Sequence, residues 1–389
     1  MDQVLNPYSP GAGIRPPELA GREPELTRFK VILARLEQGL ADRGVMLTGV
    51  RGVGKTVLLN EFRDVAERRG WIVAKIEAGG ERPFRMLLAQ SLNQALRSAT
   101  GRFSLGPMLQ KALSAFKSFT LKIAPDGSLA LGIDAEPTRG VADTGDLELD
   151  LTELALSLAA TARELGVGVV VLIDEMQNLT IEELAAVCAA SHEAGQRNAP
   201  FVVIGAGLPS LPSALRAAKS YAERLFEYRH VGPLENDAAV AALVRPAAER
   251  DVEWKDEARE LVLDHARGYP YFIQVYGKTT WDYAKASPID RDDAAIGAEV
   301  GRAELDVGFY GARWDESTPA QQAYLRAVAQ GGDEPSQTAT VASRMGKRPQ
   351  DVTGARDELI KKGLLHAPER GYIEFSVPGM ADYIQRRGD

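Results

Sequence analysis

The sequence predicts a doubly wound parallel α/β domain, then an all-helical segment, then a small unit of three helices and a hairpin. Three observations carry this. Short apolar runs alternate with amphipathic helical stretches as far as residue 233. A glycine-rich turn at Gly49–Thr56 joins the first apolar run to a helix. Beyond residue 233 the strand signal stops and helical periodicity takes over until a last pair of short runs.

Residues 1–20 are rich in Pro and Gly and read as an extended arm. Leu26 to Leu40 places Leu26, Phe29, Ile32, Leu33, Leu36 and Leu40 on one helical face. Val45 to Thr48 is a strand, and the helix after the glycine turn closes at Gly70. Trp71 to Ile76 is the next strand, and two helices fill Pro83 to Ser98 and Gly106 to Ser118. Phe119 to Ile123 and Ser128 to Ile133 read as a hairpin around Pro125-Asp126-Gly127, a strong turn signal. It is either a sheet extension or a partner contact. After a loop over 134–149, Leu151 to Leu165 is a helix, and Val167 to Ile173 is a continuous apolar strand of the kind buried on both faces. Thr180 and Glu183 form a capping box that opens a helix to Ala194. Phe201 to Ile204 and Tyr228 to Val231 complete the strands. Helices then follow at Asn236 to Arg250, Asp256 to Ala266, Tyr271 to Ala286 and Asp290 to Phe309.

Composition narrows the class. Of 389 residues, 45% are hydrophobic and 26% charged, the balance of a globular chain large enough to bury a core without staples. A net charge of -8 argues against wholesale non-specific nucleic-acid binding, while leaving room for a local basic face. The single cysteine, Cys188, excludes an internal disulfide and fits a reducing, cytoplasmic setting. The N-terminus lacks the pattern of a signal peptide, and no run is long enough for a membrane span. His192, His230, His265 and His366 are scattered without metal-ligand spacing.

Gly49-Val50-Arg51-Gly52-Val53-Gly54-Lys55-Thr56 matches G-x-x-x-x-G-K-[ST], and its strand-before, helix-after context is present. Glycines let main-chain N–H groups turn inward around phosphate oxygens, Lys55 neutralises the β- and γ-phosphates, and the Thr56 hydroxyl is a ligand for Mg²⁺. The helix start adds its positive end. ATP with Mg²⁺ is therefore the expected ligand. Val169 to Ile173 leads into Asp174-Glu175. An acid on a neighbouring strand tip holds the Mg²⁺ shell, which fits Asp174, and Glu175 is then placed to polarise the attacking water. The roughly 120 residues between Lys55 and this pair leave room for further strands between the two motifs, the layout of the additional-strand P-loop NTPase class.

With these residues the chain resembles AAA+ ATPases, in particular the origin-recognition/initiator-like and STAND-type branches with their archaeal-type relatives. Leu19-Ala20-Gly21-Arg22-Glu23 resembles the box that lines the adenine pocket. The loop through Val57 and Val169 to Glu175 resemble the Walker A and Walker B motifs, and Gly268-Tyr269-Pro270 resembles the Gly-x-Pro motif of a helical lid. The resemblance implies a nucleotide site made of Gly21, Arg22, Gly49 to Val57 and Pro270. It also implies an arginine finger that reaches a neighbouring subunit, for which Arg224 is the first candidate and Arg216 a weaker one. Two positions depart from the pattern. Tyr271 stands where the initiator branch has a second-sensor arginine, which leans toward the STAND side. Gly205 to Pro209 follows the fourth strand where a polar first sensor belongs, with Ser210 the nearest polar residue.

At the C-terminus, helices at Gln321 to Ala329, Thr338 to Met345 and Gln350 to Lys362 precede a hairpin of Leu364 to Ala367 and Tyr372 to Val377. Three helices and a wing make a winged helix, whose third helix enters the major groove in DNA binders. Residues 317–389 hold 10 Lys/Arg against 9 Asp/Glu, a net +1 beside -9 for the remainder, with Lys347, Arg348, Arg356, Lys361 and Lys362 around the third helix. The aromatic run Tyr269, Tyr271, Phe272, Tyr276, Trp281 and Tyr283 reads as helix–helix contact rather than base stacking. The organisation is thus an arm (1–20), an ATPase domain (21–233), a helical lid (234–314) and a winged helix (315–389). Two functions stay open: an ATP-hydrolysing switch that passes its state to duplex DNA, and a scaffold with little turnover that acts through protein partners, its own copies included. Neither involves a membrane.

Overall fold

In the computed structural model, residues 1–80, 82–102, 107–121, 142 and 144–388 are described. The chain divides into two bodies, one of residues 22–49 and 55–231, the other of residues 1–21, 50–54 and 232–389.

The first body is a five-stranded sheet with helices. Its strands are β1 (Gly44–Thr48), β2 (Ile72–Glu77), β3 (Val169–Asp174), β4 (Phe201–Gly207) and β5 (Phe226–His230), in the order β2-β3-β4-β1-β5. Every neighbouring pair is parallel. β4 lies between β1 and β3, so the strand leading into the glycine turn and the strand ending in Asp174 are separated by one strand. β3 and β4 are buried along their whole length, as their unbroken apolar runs require, whereas edge strand β2 alternates.

The helices are α1 (Glu23–Glu37), α2 (Lys55–Arg68), α3 (Phe84–Arg102), α4 (Pro107–Leu121), α5 (Leu147–Glu164), α6 (Ile181–Gln196), α7 (Leu211–Ala218) and α8 (Ala222–Leu225). α1 buries Phe29, Ile32, Leu33 and Leu36, and the Phe29 ring stacks on Phe62 of α2 at 4.4 Å. The Thr180–Glu183 capping box is present at the start of α6.

The expected hairpin at 119–133 is corrected over its first part. Phe119, Thr120 and Leu121 are the last residues of α4, and residues 122–133 lie outside the described residues. Leu113, Phe116 and Phe119 are all buried, a spacing of three that sets one helical face against the core and overrides the local strand signal.

The second body holds α9 (Asn236–Ala248), α10 (Asp256–Ala266), α11 (Pro270–Tyr283) and α12 (Arg291–Leu305). Asp290 to Phe309 is not one α-helix as expected. It passes at Asp306–Gly311 into a π-helical stretch that leads to α13 (Ala312–Asp315). The C-terminal module follows: α14 (Pro319–Ala329), β6 (Ser336–Gln337), α15 (Thr338–Arg344), α16 (Pro349–Lys361), β7 (Leu365–His366), β8 (Tyr372–Phe375) and α17 (Met380–Arg387). Its strands pair antiparallel in the order β6-β8-β7.

The N-terminal residues form a strap along α11 and its neighbours instead of a free arm. Tyr8 is buried, its hydroxyl donating to the Leu243 carbonyl and accepting from Trp254 Nε1 at 3.1 Å. Asn6 Nδ2 donates to the Lys278 carbonyl at 3.0 Å, and the Asp2 carbonyl accepts from Trp281 Nε1 at 2.9 Å. The C-terminal module is clamped to the same helices. Tyr310 Oη donates to the Pro378 carbonyl at 2.7 Å, Asp306 pairs with Arg386, and Asp333 accepts from both Arg267 and the Gly379 amide. No described helix is long and apolar enough to cross a membrane.

Candidate active site

β1 continues into the loop through its main chain. The Thr48 carbonyl accepts from Val231 N at 2.7 Å, and Gly49 N donates to the Gly207 carbonyl at 3.2 Å. The loop then turns at Gly52 (φ 87°) and Gly54 (φ 94°), a backbone region that L side chains rarely adopt, and enters α2 at Lys55. Val50 and Val53 anchor the turn by burial. Lys55, only 6% exposed, donates from Nζ to the Gly49 carbonyl at 2.8 Å, which holds its ammonium at the end of β1. Thr56 lies in the first turn of α2, followed by half-buried Val57.

Arg51, on the loop, has a buried Nε without a hydrogen-bond partner. In the same body, Arg313 lies over the Phe309 ring at 3.7 Å and donates to the Phe309 carbonyl at 2.6 Å. Burial lowers the Arg313 pKa, and the neighbouring Arg51 cation lowers it further. Two guanidinium groups near one another, one with an unmet donor, suit a ligand rich in negative charge.

The acidic pair stands on the same edge of the sheet. Thr48 aligns with Gly207 across β1 and β4, and Ile173 with Gly205 across β4 and β3. Asp174 is 3% exposed, and its Oδ1 accepts from Glu175 N at 2.9 Å. Glu175 adopts the left-handed conformation (φ 48°, ψ 37°), which costs a side-chain-bearing residue about 1–3 kcal/mol and gathers at functional sites. The strain re-aims its carboxylate instead of letting it continue the strand's alternation.

Two neighbours of the acidic pair escaped the sequence reading. Gln177, in the 3₁₀ turn Met176–Asn178, donates from Nε2 to the Glu175 carboxylate and accepts from Leu208 N at 3.0 Å. Lys75 of β2 holds Asn60 of α2; burial lowers its pKa, and the nearby Asp174 charge opposes that. No motif spacing could have found them, because Gln177 is anchored at Leu208, past the end of β4, and Lys75 meets the Asp174 charge from a different strand.

Gly21 has φ 68°, and Arg22 caps α1, 9% exposed, its pKa lowered by burial against the pull of Glu25 and Glu23. Pro270 opens α11 behind Tyr269, whose ring lies 3.9 Å from where a Cβ on Gly52 would stand. Arg224 sits just before β5 at the opposite edge of the sheet. It is exposed and lines a cavity of about 400 Å³ with Asp42, Arg43, His192 and Gln196. The neighbouring Glu227 is held by Arg28 at 2.7 Å and Arg229 at 2.8 Å. Arg216 bonds Ser213 at 3.3 Å, and Ser210 caps α7. No group of three or more His, Cys, Asp or Glu able to hold a metal gathers among the described residues.

Residues 307–384 match a family model described as a domain of unknown function (DUF8462), and a search of curated proteins finds no match. The Walker-type ATPase of Pyrococcus abyssi is similar over 98% of this chain and 99% of its own, with a TM-score of 0.64 at 18% identity. The Thermotoga maritima RuvB Holliday junction branch migration motor (93% and 96% covered, TM-score 0.46, 18% identity) and Cdc6p of Pyrobaculum aerophilum (99% and 97%, 0.46, 13%) are more distant. Residues 18–204 match the model described as AAA ATPase domain, within a chain that shares the fold of the Pyrococcus abyssi Walker-type ATPase.

Proposed function

We propose that the chain is a Mg²⁺-dependent ATPase switch, converting ATP to ADP and phosphate, with the C-terminal module as its output. The observation that carries this is Lys55 bonded to the Gly49 carbonyl just past β1, on the sheet edge where β3 presents Asp174 and Glu175. Loop amides and Lys55 hold the phosphates. Thr56 and Asp174 are a hydroxyl and a carboxylate, the hard oxygen donors Mg²⁺ takes, and would hold the ion. Bound there, Mg²⁺ supplies neutralisation of phosphate charge. Glu175 accepts the proton of the attacking water as its oxygen bonds the γ-phosphorus and the bond to ADP breaks.

Tyr269 supports the relay. Its ring lies against the Gly52 position, and its hydroxyl donates to the Ser376 carbonyl of the C-terminal module at 2.9 Å. A change in the loop therefore has a direct mechanical path to that module, which we read as a winged helix.

On the output side the side chains favour a protein partner over duplex DNA. Three of the five basic residues around α16 are engaged: Lys362 on the Glu316 carbonyl and Gln321, both at 2.8 Å, Arg356 on Asp357 and Arg348 on Asp351. Asp351, Asp357 and Glu358 occupy exposed positions of α16, where they repel phosphates.

Phosphate release by native protein and Glu175→Gln, with and without duplex DNA, tests the reading. Native protein turns over Mg·ATP. The variant keeps its ATP affinity and loses about 10²–10⁴-fold in kcat, the span of a general base. DNA leaves both unchanged. Undiminished turnover by Glu175→Gln removes that residue from the chemistry, and DNA-stimulated release restores the DNA output.

A further inference from the structure

We propose that Gln177 is a positioning residue that holds the Glu175 carboxylate for catalysis, doing from the β3 side what no polar side chain at the end of β4 can do. The proposal rests on the reading of Glu175 as the base.

β4 ends in Gly205-Ala206-Gly207 and is followed by Leu208, which together bring no polar side chain to this edge. Gln177 fills that place. Its Oε1 accepts from Leu208 N at 3.0 Å. Because an amide N–H can only donate, that bond fixes which end of the carboxamide faces the strand and leaves Nε2 turned to Glu175 Oε2. One side chain thus ties the carboxylate to the residue after β4.

The neighbours keep Gln177 in place. Met176 is fully buried, and Asn178 Nδ2 donates to the Ala78 carbonyl at 3.0 Å, so the turn is pinned on both sides of it. Gly207 leaves room: a Cβ there would stand 2.6 Å from Gln177 Oε1. The Gly207 carbonyl in turn accepts from Gly49 N at 3.2 Å, so the strand end that steadies Gln177 also carries the first residue of the phosphate loop. Glu175, already in the left-handed region, owes its orientation to this tether as well as to its backbone.

The test is steady-state kinetics with Mg·ATP on the full chain. Gln177→Ala and the volume-preserving Gln177→Met should each lower kcat by about 10–100-fold with KM and ATP affinity near native, because an interaction acting only on the reacting geometry is lost. Gly207→Ala, which pushes Gln177 away without altering it, should reproduce the effect. Placed on Glu175→Gln, Gln177→Met should add nothing, since the two act as one unit. Native kcat in the folded Gln177→Met protein, with Glu175→Gln inactive, overturns the proposal and leaves Glu175 as the base. A parallel loss of ATP affinity also overturns it, by making Gln177 part of nucleotide binding or of the fold. Full turnover by Glu175→Gln instead removes the base assignment and this inference together.

Discussion

Asp150 has no exposed side-chain surface, yet it is a carboxylate. It accepts from the Thr144 amide and hydroxyl, both at 2.8 Å, and from Gly145 N at 3.1 Å, and it pairs with Arg85, itself lying 4.5 Å over the Phe119 ring. Burial pushes its pKa up, but the bonds from Arg85 and Thr144 outweigh this and hold it below the ordinary carboxylate value. A depressed pKa contributes stability that is present above the unfolded value, about 3.9, and lost as pH falls through the folded one. Asp150→Asn should therefore destabilise by about 3 kcal/mol at pH 7, the cost of stranding a buried partner, and by less at pH 3.5. Urea melts at both pH values check this, and an equal difference at each contradicts it. Residues of this kind are hard to read in a sequence. Lys55, Thr56, Asp174 and Glu175 were legible because phosphate and metal chemistry fixes their type and spacing. Gln177 bonds a residue 31 positions away and Tyr269 one 107 positions away, and nothing in their own neighbourhoods announces it.

Among elements, the parallel strands and most helices of the first body were legible, since uninterrupted apolar runs and periods of three to four demand them. Two failures have local causes. At Phe119 a strong turn signal nearby suggested a strand, while the buried face of α4 decided for helix. At Asp306 one helix was expected, but Phe309, Tyr310 and the adjoining glycines adopt a π-helical stretch, which sets Phe309 edge-on to Phe272 at 5.2 Å and Tyr310 on Tyr383 at 5.6 Å. The strap at the N-terminus also had no periodicity to betray it; its grip comes from single polar contacts such as Tyr8. Burial raises the Tyr8 pKa far above its ordinary value, partly offset by the Trp254 hydrogen bond, so the hydroxyl stays a donor to Leu243. Tyr8→Phe leaves the buried Trp254 N–H without its Tyr8 acceptor and should cost about 1–3 kcal/mol. Denaturant melts followed by tryptophan fluorescence measure this; an unchanged midpoint contradicts the strap's role.

At the scale of the molecule, the change from sheet to helices follows from where the strand signal stops, and the proposed chemistry from one loop. The net charge of -8 and the carboxylates on α16 support the protein-partner form of the proposed switch. Arg224 stands at the sheet edge opposite Lys55, so the finger role expected of it would require the ATP of a second copy. All of these readings depend on the loop gripping a triphosphate. Isothermal titration of native protein and Lys55→Ala with Mg·ATP tests that most directly. The account predicts native binding with a Kd of about 1–100 μM, roughly -5.5 to -8 kcal/mol, and its loss in Lys55→Ala. Absence of heat from the native chain, or equal heats from the two proteins, contradicts it.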